Sequence, residues 1–220
     1  KSQKGIFFLN QLGTGPKNNS KVLTKNDLKF FIQSNNKLIV RAISLHGNYK
    51  KKCRIPFLTE EWNRDRLAIF LVNNADHVIF QSNYQLNFYR KFGYKGNSYS
   101  VINNGSNIYK YFDYELDNLD INENIRSENL NLISTAFSTR KTKRFDLIAK
   151  ISKIKNVNID HFGNWPRNIN PFKVNIKKVI PHEELIFKIL RSDYLLHPAE
   201  KDICPNSVIE ALSLGIPVIY

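Results

Sequence analysis

Short apolar runs alternate along this chain with longer segments in which apolar residues recur at helical spacing. That rhythm predicts βαβ units around mostly parallel sheets. Ile6-Phe7-Phe8-Leu9 reads as a buried strand, a GTGP turn occupies 13–16, and residues 21–32 carry apolar side chains at helical intervals. A strand over 38–43, a Lys- and Gly-rich loop around 47–52 and a helix over 60–73, with Leu67, Phe70 and Leu71 on one face, come next. The rhythm then quickens into strand 77–80, a helix capped by Ser82 and running to about residue 92, and strand 98–102 before the turn signal Asn103-Asn104-Gly105.

Residues 111–128 are acidic, Asn-rich and without regular period, and read as a linker or long loop. Beyond them the pattern restarts: strand 130–136, helix 143–154, strands 157–162 and 174–179, helix 181–191, strand 194–197, helix 206–214 and strand 217–220. Pro181 suits the first position of its helix, and Gly215 the residue just past the end of the next. The organisation expected is an N-terminal Rossmann-like domain over 1–108, a linker over 109–129 and a second Rossmann-like domain over 130–220.

Composition adds little to this picture, since 42% hydrophobic and 24% charged residues are ordinary for a globular chain. Charge adds more. Thirty-three Lys and Arg against 19 Asp and Glu give a net charge of +14, which suits a polyanionic partner or an acidic membrane surface. The excess is spread along the chain, so background composition explains it equally well, and nucleic-acid binding, which needs a clustered basic face, is not expected. Cys53 and Cys204 lie far apart and outside any metal-binding spacing, and His161, His182 and His197 do not propose a metal site. No apolar stretch approaches the roughly 20 residues of a membrane span, and no signal-peptide pattern opens the chain. A cytoplasmic protein is expected, with any membrane contact peripheral at the inner face. The sequence has no Met, begins just before one strand-like run and stops inside another, so both ends are expected to be truncated.

The stretch HPAEKDICPNSVIEALSLGIPVIY, 197–220, concentrates the candidate chemistry. A strand ends at His197, a loop carries Glu200, Asp202 and Cys204-Pro205-Asn206, and a helix beginning near Asn206 bears Glu210 in its second turn. Carboxyl ends of parallel strands form the ligand crevice of such sheets, and helix N-termini offer N–H groups to phosphate. Glu210 could accept paired hydrogen bonds from neighbouring hydroxyls such as those of a ribose. Taken alone, it reads as a carboxylate stabilised near a helix N-terminus.

This stretch resembles the signature of retaining glycosyltransferases of family 4, whose second domain carries two acids separated by seven residues ahead of a Gly-x-Pro-Val segment. Here it reads Asp202-Ile203-Cys204-Pro205-Asn206-Ser207-Val208-Ile209-Glu210-Ala211, then Gly215-Ile216-Pro217-Val218. Asp202 stands where the family usually has its first glutamate, the one associated with the transferred sugar and by resemblance catalytic, so the shorter acid bears on donor-sugar choice or on the vigour of catalysis. STAFSTRKTKRFDLIAKI, 134–151, is similar to the family's first strand of that domain and its basic loop, where Arg140 and Lys143 would meet the donor's diphosphate. A preorganised cation there would stabilise the charge that grows on the leaving group. Arg144 stands where a glycine is usual, and a solvated basic turn is the alternative for residues 140, 141, 143 and 144. Segments 75–93 and 100–107 are similar to scaffold of the first domain, and the GTGP turn, with Gly15, resembles the loop that approaches donor and acceptor.

The resemblance implies a GT-B fold, two Rossmann-like domains with parallel sheets facing a cleft, the second one incomplete. It implies transfer of a sugar from a nucleotide-diphosphate donor to an acceptor hydroxyl, with retention at the anomeric carbon. Glu210, with Asn206 and Ser207 at the helix start, would bind the nucleotide, and Asn164 and residues 181–184 would lie near its base. No essential metal is expected, and because the leaving diphosphate itself assists deprotonation in such enzymes, no protein base is expected either. A glycan or lipid-linked sugar would be the acceptor. His46 is a weaker candidate for a sugar hydroxyl. The competing reading is a protein that binds a sugar nucleotide or glycan without turnover.

Overall fold

A computed structural model of the chain describes residues 5–9, 29, 36–45, 47, 60–108 and 128–220. The turn with Gly15, the helix over 21–32 apart from residue 29, His46, Cys53 and the linker over 109–129 apart from residues 128 and 129 lie outside them. The chain divides into two compact units, Lys1–Asn103 and Asn104–Tyr220.

In the first unit, strands β1 (Ile6–Leu9), β2 (Lys37–Arg41), β3 (His77–Phe80) and β4 (Tyr99–Val101) form a parallel sheet in that order. Helix α1 (Glu60–Asn73) precedes β3, and α2 (Asn83–Lys91) follows it. Ser82 caps α2 as expected, its side chain accepting from the Gln85 N–H at 3.1 Å. Leu38, Val40, Val78 and Phe80 of the sheet pack with Ala68, Leu71 and Val72 of α1 and with Leu86 and Tyr89 of α2. The inner face of α1 is therefore turned from the one the sequence suggests: Leu67 and Phe70 flank it half-buried, while Asp65 is buried on it and accepts from the Gly47 N–H at 2.9 Å. A carboxylate at an inner position blurs the apolar stripe on which a sequence reading depends.

The second unit runs β5 (Leu130–Ala136), a 3-10 turn (Lys141–Lys143), α3 (Phe145–Ile151), β6 (Val157–Gly163), β7 (Val174–Lys177), α4 (His182–Leu190), β8 (Tyr194–Leu196), α5 (Asn206–Ser213) and β9 (Val218–Ile219). All five strands are parallel, in the order β7-β6-β5-β8-β9. Leu132, Phe145, Ile148, Ile159 and Leu196 pack in one cluster, and Ile133, Phe162, Leu185, Ile189, Leu195 and Ala211 in another. Neighbouring residues of β5 and of β8 thus enter different clusters, which is why those strands read as short continuous apolar runs.

Three expected boundaries shift for local reasons. The helix expected from 143 starts at Phe145, because Arg144 takes a left-handed conformation, φ 55° and ψ 45°, between the 3-10 turn and α3. Pro181 is the N-cap of α4 and not its first residue, since its ψ of 147° is extended. β7 ends at Lys177, two residues early, because it is an edge strand in which only Val174 is buried. Gly215, at φ +76°, follows the C-cap Leu214 of α5 as expected. Gly163 ends β6 at φ +126°, and a Cβ there would stand 2.1 Å from the Ala136 carbonyl oxygen, the acceptor for the Asn164 N–H at 2.9 Å. Only glycine lets β5 and β6 close together at their carboxyl ends.

Candidate functional site

From β5 the chain builds outward through β6 to β7 and then returns to β8 on the other side of β5. The loops after β5 and β8 therefore leave the sheet side by side at the point where strand order reverses, the place where open α/β sheets bind ligands.

Three links tie these loops together. The Glu200 N–H donates to the Thr142 carbonyl at 3.0 Å, Lys143 Nζ meets Asp202 Oδ2 at 2.7 Å, and Arg144 Nη1 meets Glu200 Oε1 at 2.6 Å. Arg144 also chelates Asp146 through Nε and Nη2, both at 3.0 Å. These charge-assisted bonds compensate a backbone conformation that costs a side-chain-bearing residue about 1 kcal/mol or more. Arg144 thus takes a backbone conformation usually left to glycine while its side chain serves as a staple. The pairing raises the Arg144 guanidinium and lowers the Asp146 carboxyl, in each case chiefly through the Arg144–Asp146 hydrogen bonds.

Asp202 is the electrostatic centre of the cluster. Its side chain is 22% exposed, and besides Lys143 it has His197 Nε2 at 3.3 Å. That imidazole nitrogen is buried, stands at ion-pair distance but out of alignment, and has no hydrogen-bond partner among the described residues. Burial alone would raise the Asp202 carboxyl; His197 and Lys143 outweigh it and bring it down to about 2. A small pocket between the two loops, with room for about one water, is lined by Ser134, Lys143, His197 and Ala199 among others.

Glu210 sits in α5, and its carboxylate Oε1 faces His182 Nε2 at 2.9 Å. A carboxylate only accepts, so the His182 Nε2 carries the proton in this pair. α5 begins without a side-chain cap, and the N–H groups of Asn206 and Ser207 have no partner among the described residues. Asn104, the first residue of this unit, braces the loop ahead of the helix: its Nδ2 donates to Cys204 O at 3.1 Å and to Asn206 Oδ1 at 2.9 Å.

Of the other candidates, Arg140 is exposed, and its side chain makes no hydrogen bond or ion pair among the described residues. Asn164 spends its side-chain amide on the Phe137 carbonyl at 2.6 Å, so it shapes the loop after β5. No local pattern signals the His182–Glu210 pair, Glu200 as the partner of Arg144, or Asn104 as a brace, since each depends on contacts between distant segments. His161 is a core residue: buried against Phe145 and Trp165, it faces Ser134 Oγ through Nδ1 and the Asn164 carbonyl through Nε2. Burial lowers its pKa, and the Asn164 carbonyl offsets this only in part. Among the described residues no three His, Cys, Asp or Glu side chains are grouped to hold a metal ion, and no helix is long and apolar enough to cross a membrane.

No family model matches the chain, and no curated protein matches it in sequence. Solved structures do match its fold. The sucrose-phosphate synthase of Thermosynechococcus elongatus, 19% identical, covers 86% of this chain and 51% of its own length at a TM-score of 0.64. HepE of Anabaena, solved with UDP, is 14% identical and covers 89% of this chain and 57% of itself at 0.61. A trehalose-6-phosphate synthase described for glycosyl transfer with retention is 10% identical and covers 97% and 57% at 0.60. The two parallel sheets with alternating helices are the Rossmann-like units of the GT-B fold. The chain spans about half the length of the solved structures it matches.

Proposed function

We propose that the chain belongs to a nucleotide-sugar-dependent glycosyltransferase of the retaining, family 4 type, and that its second unit holds the donor. The observation that carries this reading is the meeting of Lys143 and Asp202, 59 residues apart, at the reversal of strand order, with the uncapped start of α5 following from the same loop. Fold neighbours that include a UDP complex support it.

In this reading Glu210 accepts from the ribose hydroxyls, the N–H groups of Asn206 and Ser207 face phosphate, and Arg140 and Lys143 stabilise charge on the departing diphosphate. Lys143 is already paired, so an incoming diphosphate exchanges one anionic partner for another, and Asp202 is released toward the sugar. No protein base is required if the leaving phosphate oxygen takes the acceptor proton. A glycan or lipid-linked sugar is the acceptor class that fits a chain of net charge +14, with peripheral contact at an anionic membrane face. The test is to incubate the protein with UDP- and GDP-sugars, follow nucleotide release, and read the anomeric configuration of any product by NMR.

A second reading is supported by the pairing itself. Lys143 and Arg144 are both committed to carboxylates, so a protein that binds a sugar nucleotide without turnover fits the same geometry. Binding of the nucleotide sugar with no release of nucleotide would favour it.

A further inference from the structure

Glu210 has three rotatable side-chain bonds, the last with a broad torsional profile, so a lone carboxylate at this position would sample many orientations. The structure gives it one. Its side chain is only 13% exposed, and Oε1 accepts from His182 Nε2 at 2.9 Å. His182 is the first residue of α4, behind a proline whose ring fixes the entry into the helix. α4 and α5 pack in the same cluster through Leu185, Ile189 and Ala211, so the imidazole and the carboxylate stand on two helices that hold a fixed spacing. His182 itself contributes little to that packing, for its side chain is 50% exposed while Leu185, Ile186 and Ile189 anchor the helix.

We infer that His182 is a positioning residue for nucleotide binding: it orients the Glu210 carboxylate so that Oε2 and the remaining lone pair of Oε1 face the two ribose hydroxyls. This rests on the donor-site reading above. A carboxylate offers about four acceptor positions; one is taken by His182, and the three left include the pair a cis-diol needs. Binding then pays less to order the side chain, the usual gain from preorganisation. No residue of this pair touches the reacting atoms, so the effect falls on affinity for the nucleoside and not on the chemistry.

Calorimetric titration of the full chain with UDP and with 2′,3′-dideoxy-UDP tests this. His182→Ala is expected to weaken UDP binding roughly tenfold, and His182→Gln, which can still donate, is expected to restore most of the loss. Neither substitution should alter the affinity for dideoxy-UDP, and His182→Ala should add nothing in a Glu210→Ala background. Loss in Glu210→Ala with none in His182→Ala overturns the positioning role alone. An equal loss for UDP and dideoxy-UDP overturns it too, because the effect would then be a general distortion of the site. Absence of UDP binding by the unmodified chain overturns both this inference and the donor-site reading beneath it.

Discussion

Replacing Asp202 by asparagine removes the charge around which the two loops of the second unit are tied, with little change of shape. A carboxyl brought from 3.8 to about 2 stabilises the folded chain, once ionised, by about 2 kcal/mol. With a side chain 22% exposed, Asp202 loses only part of this to solvent screening. The folded-state value is the depressed one, so the contribution is complete above the unfolded value near 4 and disappears as the pH falls through about 2. Asp202→Asn should therefore destabilise the second unit by about 2 kcal/mol at pH 7 and by almost nothing at pH 2. Trp165, packed against Phe145 and His161 with ring centroids 5.0 and 5.2 Å away, reports on this unit. In a Trp62→Phe background, urea unfolding followed by tryptophan fluorescence would isolate it. Equal stability of the two proteins at pH 7, or a gap between them that does not narrow on acidification, would refute the assignment of Asp202 as the charged centre.

Gly163→Ala places a Cβ against the Ala136 carbonyl at a φ of +126°, and should cost about 3 kcal/mol or more; thermal unfolding read by Trp165 fluorescence checks it. Arg144→Gly trades a relaxed left-handed backbone for lost pairing with two well-solvated carboxylates, so its stability should stay close to that of the parent, while Arg144→Ala, which loses the pairing and keeps the strain, should be the less stable of the two. Chemical denaturation of the two variants side by side separates the terms. His161 is held below its ordinary value of 6.5 by burial, so its contribution is present above that value and is lost as the pH falls through the lowered one. Stability of the second unit should decline on mild acidification, and His161→Gln should flatten that decline.

The elements of the second unit could be read from the sequence because both faces of its sheet are buried, which writes β5 and β8 as plain apolar runs, and because Gly215 and the Asp202–Glu210 spacing are local features. Boundaries shifted where one residue's backbone decided them, as at Arg144 and Pro181. The inner face of α1 was obscured by Asp65, a buried carboxylate whose partner lies 18 residues away. Within the candidate site, residue types were legible and partners were not. Nothing in the order of residues shows that Lys143 reaches Asp202, that Glu200 holds Arg144, or that His182 meets Glu210 from another helix, since those pairings arise only when the strand order reverses beside β5.

On the reading proposed above, the carboxyl ends of β5 and β8, with the start of α5, bind the nucleotide of a sugar donor. Calorimetric titration of UDP and of GDP into the chain and into Glu210→Ala tests it most directly. Saturable binding of one nucleotide to the parent and a loss of tenfold or more in Glu210→Ala are expected, in line with a charged acceptor losing its hydroxyl partners. Equal affinity in the two proteins, or no binding of either nucleotide to the folded parent, would contradict it.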